Sequence, residues 1–400
     1  MNIRFRGARK AGTTLGTVVA RGFADPSRAL PRGGRTRTEF RGRPHGPTGK
    51  APMDEAGLQR LVDQVVLDMG AAFGAATVVL GDRLGLWKAM VGAGPLSPGD
   101  LAWRTGTNER LVAEWLAAQA CAGYVRYRDG TYTLTDEQAR VFADETSPVF
   151  MTGLAELISS VYRDEAGIAA AYRGAGELAW PDHDRALFNG TERFFRPGYA
   201  AHLRDSWIPA LSDAEGKLTA GTLVADVGCG HGASTIVLAE AYPNSRFTGF
   251  DAHLPSIVRA RELALQAGVT DRVSFETAYA DDYPGAGYGL VCLFDCLHDM
   301  GDPVAALRHV HSTLTPDGTV LLVEPFAHGR LPDDLNPVGR LFFNASATIC
   351  VPNALAQGGT EALGAQAGRE RLFEVARQAG FTRTRQATAT PFNLVLELKP

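Results

Sequence analysis

Residues 224–235 read Val-Ala-Asp-Val-Gly-Cys-Gly-His-Gly-Ala-Ser-Thr, an apolar run that carries Asp226 at its end and opens through three glycines into a helical pattern. Glycine at positions 228, 230 and 232 lets the backbone approach a ligand closely. The spacing G-x-G-x-G differs from the G-x-G-x-x-G of dinucleotide-binding loops, and no Lys or Arg is placed for a phosphate. Because a helix N-terminus also stabilises a carboxylate, the loop predicts a ligand with a carboxylate rather than a pyrophosphate.

Short apolar runs alternate with helical patterns around this loop. They lie at Leu223–Val227, Arg246–Phe250, Val273–Glu276, Gly289–Phe294 and Val320–Glu324, with two further candidates near Phe381–Ala387 and Phe392–Leu398. Such alternation is typical of a parallel sheet with helices on both faces. The predicted fold class is α/β, a Rossmann-like doubly wound sheet of seven strands, preceded by an all-α, winged-helix-like domain.

Acidic residues follow the second and third predicted strands. Asp251 ends the second strand about 20 residues beyond the glycines, where an acid can accept hydrogen bonds from ribose hydroxyls. Asp281 and Asp282 follow the third strand at the same edge of the sheet, where one of them can accept a hydrogen bond from an adenine amine. The sequence does not say which of the two does so.

The N-terminal half carries a different pattern. Apolar residues from Leu58 to Met69 recur every three or four positions, which predicts an amphipathic helix. Ser97, Pro98 and Asp100 favour a helix start, and a second helix is predicted at about 108–122 with Leu111, Trp115, Ala118 and Ala122 on one face. Asp-Gly at 129–130 lies between alternating residues and indicates a hairpin. Helix, helix and hairpin together predict a winged helix-turn-helix.

Charge disfavours nucleic acid as a partner. Residues 1–50 hold 12 Lys and Arg against 2 acids, which leaves 28 basic against 42 acidic residues in the remainder. A body that acidic would repel a phosphate backbone, and the second helix of the predicted winged helix offers Arg110 as its basic residue. The front domain is therefore interpreted as a packing module and possible homodimer interface that covers one side of a pocket for a small-molecule acceptor.

The chain divides into four predicted segments. They are a disordered basic tail at 1–52, a winged-helix-like dimerisation domain at 53–145, a helical bridging region at 146–215 and a catalytic α/β domain at 216–400. Three hypotheses compete for the tail: an over-long gene start with the true start at Met53, a regulatory or dispensable tail, and a transit peptide.

The remaining composition indicates a reduced, soluble setting. Five cysteines are scattered without a C-x-x-C pair, which argues against a disulfide framework and a zinc site, and a cytoplasmic location is expected. The longest apolar stretch, around Ala71–Leu80, is short for a membrane span, so no transmembrane helix and no membrane partner are expected. No metal is expected either, because Asp281 and Asp282 alone do not make a cluster of oxygen ligands.

The order of glycine-rich loop, ribose acid and adenine acid resembles the class I S-adenosylmethionine-dependent methyltransferases. Residues 293–300, Leu-Phe-Asp-Cys-Leu-His-Asp-Met, and Val323-Glu324-Pro325 are similar to the L-H-D-W and V-E-P motifs of small-molecule O-methyltransferases of plants and bacteria. The likeness covers roughly residues 60–400. It implies S-adenosylmethionine as cofactor, with Phe294 and Asp295 beside it. Phe294 stands where that family commonly has Lys or Arg, and Met300 replaces its usual Trp.

The resemblance also implies a general base at His298. A phenol with a pKa near 10 is a weak nucleophile until a base takes its proton, and histidine suits that task. Asp299 or Glu324 could orient the imidazole. The leading hypothesis is O-methylation of a small aromatic or polyketide-like molecule, and transfer to N, C or S stays open. The alternatives are a non-catalytic S-adenosylmethionine-sensing winged-helix regulator and an NAD-dependent dehydrogenase, which the glycine spacing disfavours.

Overall fold

The computed structural model describes residues 53–174, 177–359 and 361–400. The tail predicted to be disordered, residues 1–52, lies outside the described residues. The chain divides after Leu58, and residues 59–400 form one compact unit. The four-segment division stays a prediction.

The first part of the described chain is helical with one small hairpin. Its elements are α1 Glu55–Arg83, α2 Leu86–Met90, α3 Pro98–Thr105, α4 Glu109–Cys121, β1 Arg126–Arg128, β2 Thr131–Thr133 and α5 Asp136–Phe142.

The predicted winged helix is confirmed. Ser97 caps α3 through a reciprocal pair of hydrogen bonds with Asp100, and Gly106 ends the helix with φ of 65°, a left-handed value that glycine adopts without strain. The antiparallel hairpin pairs Arg126 with Thr133. Trp115 of the predicted inner face of α4 is buried, but the prediction was wrong at Leu111, Ala118 and Ala122, which are exposed, because the helix buries Val112 and Leu116 beside Trp115.

The helix α1 forms as predicted, but its apolar stripe faces outward. Its residues from Leu58 to Met69 are largely exposed, and burial begins at Val78 and Val79. Among the described residues, this is the one helix that is long and apolar enough to cross a membrane, and 17% of its most apolar 18-residue segment is buried. That test concerns length and composition alone, and core helices of soluble proteins pass it as well. Arg340 reaches the middle of α1 through an ion pair with Asp68, N to O 2.8 Å.

Bridging helices connect the winged helix to the sheet. They are α6 Thr152–Arg163, α7 Glu165–Tyr172, α8 Ala186–His202 and α9 Ala214–Ala220. Helices α6 and α8 pack so closely that a Cβ on Gly190 would stand 2.4 Å from the backbone nitrogen of Leu157. Glycine is therefore required where the two helices meet. The close contact fixes α8, which forms one wall of the cavity described below.

The remainder is the predicted α/β sheet with its flanking helices. Its elements are β3 Leu223–Val227, α10 Ala233–Ala241, β4 Arg246–Asp251, α11 Leu254–Ala267, β5 Val273–Thr277, β6 Tyr288–Phe294, α12 Pro303–Thr313, β7 Leu314–Pro325, α13 Pro337–Ala345, α14 Val351–Ala356, α15 Gly368–Gln378, β8 Arg383–Ala389 and β9 Asn393–Lys399.

The seven strands follow the order β5-β4-β3-β6-β7-β9-β8, and β9 is antiparallel to both neighbours. The prediction of a Rossmann-like, doubly wound sheet is confirmed. The central strand β6 is buried at all seven positions, as expected for a strand with helices on both faces. The chain runs from β3 to one edge of the sheet and returns to build the other half from β6. A ligand crevice is expected at that reversal, at the carboxyl ends of the strands.

Candidate active site

A cavity of about 710 Å³ opens at the carboxyl ends of β3, β4, β5 and β6. This volume lies within the range of small-molecule sites. Loops after these strands form its floor, and aromatic side chains of α8 form the opposite wall. Of the site residues predicted from the sequence, those that line the cavity are Gly228, Gly230, Asp251, Asp281, Phe294, Asp295 and Asp299.

The glycine-rich loop leaves β3 in left-handed backbone conformations. Gly228, Gly230 and Gly232 have φ of 74°, 52° and 76°, so the three glycines predicted from the sequence are conformationally required. A Cβ on Gly230 would meet no atom within 4 Å, which leaves that backbone open toward a ligand. Gly232 serves packing instead, since a Cβ there would stand 2.5 Å from the ring of Phe275.

Asp226 has a different environment from the other predicted cofactor residues. Its Oδ2 accepts hydrogen bonds from Ser234 Oγ at 2.7 Å and Thr235 Oγ1 at 2.6 Å, and Asp226 is buried and is not itself among the residues that line the cavity. Burial raises the pKa of Asp226 to about 6 against the opposing effect of the two hydroxyls. In the structure, Asp226 therefore connects β3 to the first turn of α10 through hydrogen bonds.

Asp251 joins the two loops that flank the cavity. Its Oδ2 accepts a hydrogen bond from the Gly230 amide at 2.8 Å, and its Oδ1 accepts one from the His253 amide at 2.8 Å. Each carboxylate oxygen keeps a second acceptor site, so the group can still receive ribose hydroxyls. Burial raises the pKa of Asp251, although both amides favour the charged form.

The two adjacent acids after β5 are now distinguished. Asp281 lines the cavity together with Tyr279, whereas Asp282 is not among the lining residues. Both side chains are exposed. Of the two acids, Asp281 is therefore the one placed at the cavity, and its contact with adenine stays a prediction.

Asp295 ends β6 in a left-handed conformation with φ of 50°, a value that costs a non-glycine residue backbone energy. Its Oδ1 accepts a 3.3 Å hydrogen bond from Asn393, while its buried Oδ2 has no partner within the part of the chain that the structure describes. Burial raises the pKa of Asp295 well above its usual range. An unpartnered acid oxygen on a cavity wall suits a cationic or hydrogen-bond-donating ligand.

His298 and Glu324 form a buried pair. His298 Nδ1 lies 2.6 Å from Glu324 Oε2, and the backbone amide of Leu297 donates to Glu324 Oε1 at 2.9 Å. The pairing of β6 with β7 sets this distance, because Phe294 stands opposite Val323 and the next residues of the two strands end at the same edge. The partner of His298 is therefore Glu324, which settles the choice left open with Asp299.

The electrostatics of this pair favour a protonated imidazole. Burial lowers the pKa of His298, but the Glu324 carboxylate and the Cys350 sulfur raise it, and the net pKa lies well above the ordinary 6.5. Asp299 lines the cavity beside the pair. Burial raises the pKa of Asp299 to about 7, against the charge of His298.

Several cavity residues lie outside any motif in the sequence. Phe188 of α8 stacks on His253 with ring centroids 4.3 Å apart. Asn353 of α14 donates to the Asp299 carbonyl at 3.0 Å and accepts from the Trp180 amide at 2.9 Å. These residues come from helices that fold over the sheet, and no local pattern marks them.

Comparison with known proteins gives two family matches. A methyltransferase domain model matches residues 218–361. A model described as an Rv2258c-like winged HTH domain matches residues 72–143.

Two curated relatives carry methyltransferase names. The chain is 27% identical over 317 residues to demethylspheroidene O-methyltransferase of Rhodobacter capsulatus, and the aligned region covers 73% of this chain and 70% of that protein. It is 36% identical over 107 residues to 27-O-demethylrifamycin SV methyltransferase of Amycolatopsis mediterranei, covering 26% of this chain and 39% of that one.

Solved structures share the fold. The mitomycin 7-O-methyltransferase MmcR matches with a TM-score of 0.63 and 18% identity, over 86% of this chain and all of that chain. Human N-acetylserotonin methyltransferase in complex with SAM matches with a TM-score of 0.60 and 19% identity, over 88% and 99%. The two family matches, the relatives and the solved structures together support a class I S-adenosylmethionine-dependent methyltransferase with an N-terminal winged-helix domain.

Proposed function

We propose that this enzyme transfers the methyl group of S-adenosylmethionine to an oxygen of a small aromatic or polyketide-like molecule, with His298 as general base and Glu324 as its orienting acid. The observation that carries the proposal is the 2.6 Å contact between His298 Nδ1 and Glu324 Oε2 at the cavity end of β6 and β7. A carboxylate on Nδ1 leaves Nε2 as the nitrogen that can take a proton.

The cavity residues fit the cofactor. The open backbone at Gly230 and the start of α10 suit the methionine carboxylate, and Asp251 suits the ribose. The unpartnered Oδ2 of Asp295 suits a cation, which both the ammonium and the sulfonium of the cofactor provide. When bound, the cofactor supplies an electrophilic methyl group on sulfur.

The chain's own residues then move one proton. His298 Nε2 removes the proton of the acceptor hydroxyl as the oxygen forms its bond to the methyl carbon. Glu324 holds the imidazole in one tautomer and stabilises the imidazolium that results. The same ion pair raises the pKa of His298, so the base must first be deprotonated and transfer is favoured as pH rises.

The lining of the cavity supports an aromatic acceptor. Ring side chains of Trp180, Phe188, Phe195 and Phe294 face it, and Glu192 is the acid among them on α8. Offset or edge contacts between rings stabilise aromatic ligands by about 0.5–1.5 kcal/mol each beyond area burial. Relatives that carry O-methyltransferase names support oxygen as the acceptor atom.

The test is methyl transfer from a deuterium-labelled cofactor to a panel of phenols, hydroxyquinones, amines and thiols, read by mass spectrometry. Labelled ether products are expected. His298→Ala should lower turnover by roughly 10²- to 10⁴-fold while S-adenosylhomocysteine affinity stays within a few-fold. His328→Ala, at a half-exposed histidine outside the cavity lining, should change neither. Products on nitrogen or sulfur alone, or unchanged turnover in His298→Ala, would contradict the proposal.

A regulatory role through DNA is the competing function. The surface of α4 disfavours it, because Arg110 is the one basic side chain of that helix and is paired with Glu114 one turn away. A gel-shift titration at physiological salt should detect no sequence-selective binding. Tight selective binding would favour the regulator.

We also propose that α1 packs against a second copy of the chain. Its apolar residues from Leu58 to Met69 are largely exposed, and an exposed apolar face of this length is typical of an interaction surface. Arg340 forms an ion pair with Asp68 in the middle of the helix, and a charged pair at that position disfavours a membrane span. Val65→Glu should convert a dimer into a monomer in sedimentation velocity, whereas Gln64→Glu should not. A wild-type monomer, or a Val65→Glu dimer, would contradict the assignment.

A further inference from the structure

Three unlike donor groups meet where β6 ends. His298, Asp299 and Cys350 each bring one potential ligand atom, a ring nitrogen, a carboxylate oxygen and a thiol sulfur, and the three atoms lie within 4.8 Å of one another. His298 and Cys350 are buried, while Asp299 is partly accessible and lines the cavity. Cys350 comes from the turn before α14, so only the folded chain assembles the group.

The orientation of His298 suits a metal ligand as well as a base. Glu324 occupies Nδ1 at 2.6 Å, and the other ring nitrogen is therefore the one available to the group. A carboxylate on the distal nitrogen is the arrangement that fixes the tautomer and ring position of metal-bound histidines. Asp299, on the cavity wall, gives an ion a path to the buried donors.

The donor set selects the kind of ion. Nitrogen, sulfur and oxygen together are the ligands of zinc, whereas magnesium and calcium take oxygen. Zinc binds N and O at about 2.0–2.2 Å and S at about 2.3 Å, so donors in a tetrahedral site stand roughly 3.5 Å apart. Starting within 4.8 Å, the three atoms need to approach by about 1.3 Å at most, which side-chain torsions can supply.

The charges around the group also favour a cation. Asp299, Glu324 and Asp295 are three acids at the end of β6 and β7, and His298 is the one basic group that acts on all of them. Buried acids are stabilised by a metal ion more fully than by a single imidazolium. Three protein ligands leave one coordination position open.

We propose that His298, Asp299 and Cys350 form a site for one zinc ion, and that the bound ion inhibits methyl transfer by occupying the free nitrogen of the base. Binding releases the Cys350 thiol proton and the proton on the free nitrogen of the His298 imidazolium to solvent, and the resulting thiolate, the imidazole nitrogen and the carboxylate each donate a lone pair to the ion. Zinc binding itself is independent of the proposed function, whereas the inhibition by zinc rests on the proposed role of His298 as general base.

The test uses the reduced, metal-stripped full chain, titrated with Zn²⁺ against a chromophoric chelator. One ion per chain is expected. Cys350→Ser should weaken binding at least tenfold, and Cys121→Ser, at an exposed cysteine elsewhere, should leave the affinity unchanged. No binding, wild-type affinity in Cys350→Ser, or lost binding in Cys121→Ser would overturn the site.

Cobalt substitution gives a second readout that does not depend on how well the serine variant folds. The wild-type chain with Co²⁺ should show a sulfur-to-cobalt charge-transfer band, which Cys121→Ser retains. Absence of that band in the wild type would overturn the site. S-adenosylhomocysteine is titrated into the same samples. A chain that binds S-adenosylhomocysteine but does not bind zinc would overturn the zinc site and leave the proposed function intact. Where transfer is measurable, zinc should inhibit it and a chelator should restore it; full activity in the zinc-loaded enzyme would refute the inhibition.

Discussion

Replacing Asp251 by Asn tests how the cofactor is held. The native carboxylate accepts amide hydrogen bonds from Gly230 and His253, both at 2.8 Å. Asn keeps one acceptor oxygen, so one amide and the ribose compete for it while an NH₂ group faces the other amide. A hydrogen bond to a charged group is worth about 1.5–3 kcal/mol. At 1.4 kcal/mol per factor of ten, affinity should fall roughly 10- to 140-fold.

The assay is calorimetric titration with S-adenosylhomocysteine, alongside urea unfolding. Because a buried amide loses its partner, unfolding free energy should also fall by about 1–3 kcal/mol. Asp271→Asn is the matched control: its side chain is exposed and paired with Arg272 outside the cavity lining, so both quantities should stay near wild type. Asp251→Asn with affinity within threefold of wild type would refute the assignment of the ribose contact.

Three further outcomes are expected. On the acid side of the pH profile, kcat/KM should rise with a midpoint above pH 6.5, because the raised pKa of His298 keeps the base protonated at lower pH. Glu324→Gln should move that midpoint to lower pH, and an unchanged midpoint would contradict the pairing. Gly228→Ala should lower the unfolding free energy by about 1–3 kcal/mol, since φ is 74° and a Cβ would stand 2.8 Å from the Cys296 sulfur. Gly70→Ala is the control, because a Cβ there meets no atom within 4 Å. Equal stabilities of the two variants would argue against that loop geometry. A chain that begins at Met53 should bind S-adenosylhomocysteine like the full chain, because every lining residue lies at or beyond position 179; weaker binding would favour a functional tail.

The sheet could be predicted because its signals are local. Each strand is a short apolar run, and the glycine-rich loop predicts both a turn and a ligand-binding site within a few residues. The position of Asp251 at the end of the second strand follows from the spacing alone, and the structure places its carboxylate beside the glycine loop, 2.8 Å from the Gly230 amide.

The partner of His298 could not be predicted in the same way. Choosing Glu324 over Asp299 requires the pairing of β6 with β7, which is a long-range property. Cys350 and Asn353 carry no motif, because their position depends on how the chain folds back over the sheet. Leu111 was misplaced for a related reason: a short helix allows several apolar faces, and packing against Trp87 and α1 selects one.

The most direct test of the central claim is calorimetric titration of the wild-type chain with S-adenosylmethionine, S-adenosylhomocysteine and NAD. Both adenosyl ligands are expected to bind at one site per chain and to compete with each other. No NAD binding is expected, since the G-x-G-x-G loop lacks the spacing and the basic residue for a pyrophosphate. Binding of NAD, or of neither adenosyl ligand, would contradict it.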